Sequence, residues 1–502
     1  MSESTTPPPR TDFTKPPPNF SRVSKLPPDF YARWRSRISF APAFHDALDA
    51  VPAEILLQAI WHQQRVLREA LATTNGRRVR VLHPGFWNRE AGPDFREAVV
   101  QFDSEPPRTG DVEIDLSPSG WRGHAHDRNP AYANVVLHVV WAASEHLDNS
   151  QPTLALKERL DAPLAELQMD LGNERGELPD ELSGQCSAPL RDLSVDILGE
   201  LLDQAAQVRL QVKAGQLQAR ARQCGWEQAF WEGAFRALGY KHNAWPMQQV
   251  AESLPTLRGF TVSVADAIFA WQMCLFGVSG LLPSEPESRV ADSENYLRRV
   301  WDGWWRERVN FDEMILPRRL WRFNGLRPAN HPQRRLALAA HWLARGDFLS
   351  RLENWFTTPL PTETAPTALL ELLQVEVDDF WSWHWTWRSA RLAKPQPLIG
   401  AQRVTDFAVN VVLPWFWARA AAGNNPALRQ AAEQRYFAWP AGESNSVLRL
   451  ARERLLGSAP PKLLRRAAAQ QGLLQIVRDF CAHSDAVCTE CRFPDLVRSI
   501  PR

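Results

Sequence analysis

The sequence predicts an α+β protein: a small mixed-sheet domain near the N-terminus, followed by a large all-α domain. Three observations lead there. A chain of 502 residues exceeds what one ordinary core organises, so two or three domains are expected. Between residues 52 and 142 the apolar pattern reads helix, strand, strand, strand, short helix, strand. Beyond about residue 190 helical periodicity recurs, punctuated by Pro and Gly, with no fixed repeat period.

Residues 1–28 read as a disordered tail. PPP stands at 7–9 and again at 16–18, and Pro27-Pro28 follow; each proline removes a backbone donor and fixes φ. The mixed domain is expected over 29–185. Within it, 52–72 carries helical spacing in Ile55, Leu56, Ala59, Ile60, Val66 and Leu67, with Pro52 suited to the first turn and Glu54 near the start. Asn75-Gly76 marks a turn, and 78–83 alternates as a strand. Strands follow at 95–102, 110–116 and 134–142, the last an apolar run of the kind buried on both faces. The helical domain is expected over 186–480, with helices at 195–221, 227–238, 264–276, 294–306, 334–343, 404–421, 426–436 and 463–481. A cysteine-rich segment, 481–502, closes the chain.

With 44% hydrophobic and 23% charged residues, the composition is that of an ordinary globular protein. A formal net charge of +1 supplies no general attraction to nucleic acid or an anionic membrane, although it is compatible with a local basic face. No apolar run is long enough to cross a bilayer, and the N-terminus lacks the charged-then-apolar pattern of a secretory signal. A cytoplasmic location is therefore expected. Six cysteines in so long a chain do not form a disulfide framework, in keeping with a reducing compartment. The 22 tryptophans are expected as wedges between helices rather than as base-stacking platforms.

The residues able to do chemistry concentrate between Asn88 and Trp141. Asp94 follows the turn Gly92-Pro93. If Val112, Ile114 and Leu116 share one face of a strand, then Asp111, Glu113 and Asp115 share the other. Three acids on one face repel each other unless that face is open to water or binds a cation. His124 and His126, with Asp127, lie in a polar segment and offer an alternative transition-metal site. His138, inside VVLHVV, is expected as a hydrogen-bonded core histidine. At the C-terminus, Cys481, Cys488 and Cys491 lie within eleven positions; with Cys186 or His483 they could hold a structural zinc, and with Cys186 an iron–sulfur cluster. Cys224 and Cys274 are expected to be buried and inert. Arg327, Arg334 and Arg335, with Lys241 and His242, are candidates for phosphate contact if nucleic acid binds.

Two resemblances rest on these residues. GPDF at 92–95, GDVEI at 110–114, HAHDRNPAY at 124–132 and VVLHVV at 135–140 resemble a bacterial family known as domain of unknown function 2851. The likeness continues through ALGYKHNAWP at 237–246, RPANHPQRR at 327–335 and IGAQRVTDFAVNVVLP at 399–414, and covers roughly residues 30–495. It implies no established activity. The second resemblance covers about 50–142 and is to the PD-(D/E)XK nuclease superfamily. Pro93-Asp94 stand where its pattern places the first acid, Glu113 where it places the second, and Glu54 where some members add a helical acid. It implies a restriction-endonuclease-like fold in which Glu54, Asp94 and Glu113 bind Mg²⁺ or Mn²⁺ and hydrolyse phosphodiester bonds in DNA or RNA. Where that superfamily usually has lysine, this chain has Asp115, which supplies no positive charge; His124 or His126 could carry the proton instead. Loss of chemistry at that position would leave a nucleic-acid-binding or scaffold protein. A third expectation is a zinc-dependent hydrolase using His124 and His126.

Overall fold

The computed structural model describes residues 25–38, 51–88, 91–143, 151–171, 188–240, 242–261, 266–286, 291–457, 462–481 and 491–500. The expected tail lies outside these residues up to position 24. Its last residues do not behave as a tail: Leu26 is buried, and the backbone N–H groups of Lys25 and Leu26 donate to the Glu200 carboxylate. A helix with no sequence signal follows, α1 (Phe30–Ile38). Although expected to open the mixed domain, it packs on the helical part: the Tyr31 hydroxyl donates to Asp479 at 2.6 Å, and Arg35 pairs with the same carboxylate at 3.1 Å.

The mixed part begins with α2 (Glu54–Gln63), which buries Leu57, Ala59, Ile60 and Trp61. It stops earlier than the apolar spacing suggests. Gln64 turns left-handed at φ 51°, and Arg65, just beyond the helix, pairs with Asp161 and Asp170. The sheet comprises β1 (Val79–His83), β2 (Phe86–Trp87), β3 (Phe95–Phe102), β4 (Arg108–Asp115), β5 (Val135–Val140) and β6 (Thr153–Ala155). Its order is β1-β3-β4-β5-β6, with the two-residue β2 on β3. β1 and β4 run antiparallel to β3, whereas β4, β5 and β6 are mutually parallel. The crossover from β4 to β5 contains the short helix α3 (Gly120–Gly123) and two 3₁₀ turns. After β6, α4 (Leu164–Leu171) joins α2 on one face, where Val112, Ile114, Leu137 and Val139 meet Leu57, Trp61 and Leu167. Leu82 and Val99 instead join the core of the helical part.

That helical part is organised on α5 (Val195–Leu238), broken at Gly225, where φ 82° and ψ 162° permit only a residue without Cβ; this corresponds to the two expected helices 195–221 and 227–238. The other expected helices are present over comparable ranges. Six more among the described residues, Ala244–Glu252, Leu254–Thr261, Phe348–Thr357, Ala365–Leu373, Ser446–Ala451 and Phe493–Arg498, were not legible as separate helices. Tryptophans do wedge between helices: Trp342, Trp381, Trp415 and Trp439 are fully buried in the large core, and Trp342 and Trp415 donate an indole N–H to a carbonyl. No helix among the described residues is long and apolar enough to cross a membrane.

A candidate metal centre on the sheet

Strand alternation puts Val112 and Ile114 into the core beneath α2, so Glu113 and Asp115 project to the opposite face. That face is not open to water. Glu113 is 6% exposed and Asp115 2%, beneath the crossover segment. β4 ends at Asp115, so Leu116 does not share the apolar face as expected but lies at the surface. Asp111 is also used differently, its carboxylate accepting the N–H of Glu97, which sits in a β-bulge at φ 56°.

The acids meet through short links. The Gly92-Pro93 turn is tied down by Asn88, whose side-chain amide donates to the Pro93 carbonyl at 2.9 Å. Asp94, just before β3, donates its backbone N–H to Glu113 Oε2 at 3.1 Å, while Ile114 N–H donates back to Asp94 Oδ2 at 2.9 Å. The Gln58 amide on α2 donates to Asp94 Oδ1 at 2.7 Å and to Glu54 Oε1 at 3.3 Å. Burial, reinforced by Asp94, Asp115 and Glu54, pushes the Glu113 carboxyl up to about 9. Burial pushes Asp94 to about 7, despite the hydrogen bonds that favour its charged form. Glu54, exposed at the rim, is also raised, by partial desolvation and then by Asp115. At pH 7 without a cation Glu113 therefore keeps its proton.

The crossover brings the histidines over this face. Gly120 makes the approach possible: a Cβ there would lie 2.4 Å from Asp115 Oδ1. His138, fully buried on β5, donates from Nε2 to Asp115 Oδ2 at 2.9 Å, in keeping with its expected hydrogen-bonded core role. The other oxygen, Oδ1, faces His124 Nδ1 at 3.2 Å. His126 Nε2 lies 3.2 Å from Glu113 Oε1 but not in hydrogen-bonding alignment, and neither buried ring nitrogen of His126 has a hydrogen-bond partner among the described residues. Burial holds this ring below the usual histidine range, so it stays neutral and able to ligate. Tyr132 stacks on it with ring centroids 3.9 Å apart, and Trp121 closes the edge. One ligand atom each from Asp115, His124 and His126 fall within 4.8 Å of one another. Two imidazoles and a carboxylate at that separation fit a divalent cation, and such an ion would satisfy one of the two unpartnered ring nitrogens of His126.

The profile described as "Protein of unknown function (DUF2851)" matches residues 54–445. The chain belongs to the DUF2851 family. No curated protein and no solved structure matches it. The DUF2851 match spans every residue of the acidic face and most of the helical part; α1 and the terminal cysteines fall outside it.

Other expected site residues are placed differently. Arg334 is wholly buried: its guanidinium donates to the carbonyls of Trp381, His384, Gln396 and Pro397, so it holds a loop and presents nothing to a surface ligand. Arg335 is buried as well, donating to Leu398 O and Asn330. Arg327 is exposed and lies 3.5 Å from Glu443. His242 is exposed, and Lys241 lies outside the described residues. So do Cys186, His483 and Cys488, while Cys481 and Cys491 pack against the smaller helical core. Cys274 is buried and Cys224 half-buried; burial pushes both thiols up to about 12, the inert form. Sequence reasoning missed Gln58, Tyr132 and Gly120. Helical spacing gave the one available signal: Gln58 is one turn beyond Glu54, on the same side of α2.

Proposed function

We propose that this DUF2851 chain is a divalent-metal-dependent nuclease with a restriction-endonuclease-like core, hydrolysing phosphodiester bonds in DNA or RNA. One observation carries the reading. Half-buried Asp94 and buried Glu113 and Asp115, short of positive charge, converge with His124 and His126 where α2, β3, β4 and the crossover meet. The element order and the mixed sheet support this reading. Asp94 and Glu113 would hold Mg²⁺ or Mn²⁺, Glu54 would assist through Gln58, and Asp115 would orient the histidines. A bound cation would neutralise phosphate charge and make water a better nucleophile. Asp115 in the usual lysine position does not leave the site without a proton carrier. His124, exposed and 3.2 Å from Asp115, can pass a proton to solvent, and His138 fixes the carboxylate's orientation.

A second reading is favoured by the closeness of the ligand atoms of Asp115, His124 and His126: a zinc-dependent hydrolase with Glu113 as general base. A structural zinc or iron–sulfur cluster at Cys186, Cys481, Cys488 and Cys491 also remains a proposal, tested by metal analysis of anaerobically purified protein.

The experiment is cleavage of labelled single- and double-stranded DNA and RNA with Mg²⁺, Mn²⁺ or Zn²⁺. Wild type is compared with Asp94→Ala, Glu113→Gln and His126→Ala. Loss in Asp94→Ala and Glu113→Gln with Mg²⁺ or Mn²⁺ supports the nuclease. Zinc-dependent activity lost in His126→Ala supports the second reading. No cleavage by metal-loaded wild type on any substrate overturns both and leaves a nucleic-acid-binding or scaffold protein.

A further inference from the structure

A separate cavity of about 720 Å³ lies beyond the C-terminal end of α2, between both limbs of α5 and the helices Pro332–Ala344, Ala401–Phe407 and Ala467–Ile476. Its walls carry nine Arg and Lys side chains against three carboxylates. The cations arrive from separate parts of the chain. Arg209, Lys213 and Arg220 recur at helical spacing along one face of α5, Arg236 comes from its second limb, and Arg335 and Arg403 come from the helices opposite.

The three carboxylates are already engaged. Asp161 pairs with Arg65 at 3.0 Å, Glu232 with Arg220 at 2.7 Å, and Asp406 with Arg403 at 2.9 Å. Three cations form no ion pair among the described residues. Arg209 donates to the neutral amides of Gln471 and Gln475. Arg335 donates to Leu398 O and Asn330, and its buried Nε has no partner among the described residues. Lys213 makes no hydrogen bond to a described residue. Burial, with Arg209 and Arg236 close by, pushes its amine well below the usual lysine range. An amine and two guanidiniums so placed destabilise the empty protein, and an anion in the cavity reverses that cost.

We propose that this cavity binds a small anion carrying several phosphate groups, held by Lys213, Arg209 and Arg335. Arginine forks match phosphate oxygens in pairs, and lysine adds a point charge. The volume falls in the range of about 300–1,000 Å³ typical of small-ligand sites rather than of a duplex groove. The site is independent of the acidic face: Glu54 and Gln63 stand at opposite ends of α2, about 13 Å apart at ~1.5 Å of rise per residue.

The test is thermal unfolding of the full chain with inorganic tripolyphosphate or ATP, against sodium chloride at matched ionic strength, with stoichiometry from calorimetry. Wild type should gain several degrees at about one ligand per chain. Lys213→Met should melt higher than wild type without ligand and lose most of the ligand's effect; Lys213→Gln serves the same comparison if the methionine variant does not fold. Asp94→Asn should keep the full shift. A shift with tripolyphosphate alone assigns a free polyphosphate chain, and one with both probes assigns a triphosphate group as the recognised part. No shift beyond the chloride control, or equal shifts in wild type and the Lys213 variants, overturns the proposal.

Discussion

Replacing Glu113 by Gln should stabilise the metal-free protein, and by an amount that grows with pH. The carboxyl is pushed from an ordinary 4.5 to about 9 by burial and by Asp94, Asp115 and Glu54. Between those values the folded protein binds a proton that the unfolded chain has released. Wild-type stability therefore falls as pH rises from about 4.5, and the penalty is complete above about 9. At about 1.4 kcal/mol per tenfold, the whole range is worth at most about 6 kcal/mol. Linkage to the shifted carboxyl puts less than about 1 kcal/mol of this below pH 5 and roughly 3 kcal/mol by pH 7. Glutamine keeps the shape and can still accept the Asp94 N–H through its amide oxygen, so the substitution removes the charge and little else. The assay is urea unfolding in EDTA at pH 5 and pH 7, followed by tryptophan fluorescence and circular dichroism. The variant's advantage should widen by about 2 kcal/mol between the two pH values, and added Mn²⁺ should raise the midpoint of wild type more than that of the variant. A gap that stays constant with pH would show that Glu113 is not held protonated by its surroundings, and the electrostatic case for a cation site would fall with it.

Gly120→Ala should displace the Asp115 carboxylate, since the new Cβ would sit 2.4 Å from Oδ1. The cost should be about 1–3 kcal/mol, with weaker metal binding by titration calorimetry; unchanged metal affinity would exclude Asp115 from the site. Arg334→Leu should destabilise by about 3 kcal/mol or more, because four carbonyls lose their donor. Any nucleic-acid affinity should survive where the protein remains folded; selective loss of binding in folded protein would contradict a purely internal role. Asp378→Asn should also cost about 3 kcal/mol, since this buried carboxylate accepts from Gln272, His341 and the N–H groups of Phe380 and Trp381. Despite burial, the His341 bond and the backbone donors hold Asp378 below its usual range, so its contribution is present above pH 3.8 and lost as pH falls through the lower folded value. Wild type and Asp378→Asn should therefore converge in stability once pH falls below the lowered folded value of Asp378.

The strands were legible because alternation is a local signal. Val112 and Ile114 could go to the core only if Glu113 and Asp115 went the other way, and β4 does this. What covers the acids was not legible. Nothing in HAHDRNPAY announces that His126 will stack on Tyr132 and lie against Glu113, because the crossover's path depends on Gly120 yielding space to Asp115. Arginines mislead for a related reason. RPANHPQRR reads as a basic surface, yet Pro332–Ala344 is a buried helix and the loop carbonyls that hold Arg334 come from some fifty to sixty residues downstream. The early end of α2 has the same character, since Asp161 and Asp170, with which Arg65 pairs just beyond it, are about a hundred residues distant.

Net charge conceals the arrangement that matters most. A formal charge of +1 implies a balanced surface, but the protein separates its charges. Carboxylates gather at the start of α2, where Glu113 holds its proton for want of a cation. Ammonium and guanidinium groups gather beyond its end, where Lys213 is pushed toward its neutral form for want of an anion. The two ends of α2 are about 13 Å apart at ~1.5 Å of rise per residue, beyond the reach of a direct ion pair. Folding would be easier if these acids and bases paired directly or gave way to apolar residues of similar volume. Each cluster instead raises the energy of the empty protein, and under the two proposals each would be relieved by a ligand of opposite sign: a divalent cation on the sheet and a phosphate-rich anion among the helices. Chelation should therefore expose the cost of the first cluster without touching the second, and low-phosphate buffer the reverse.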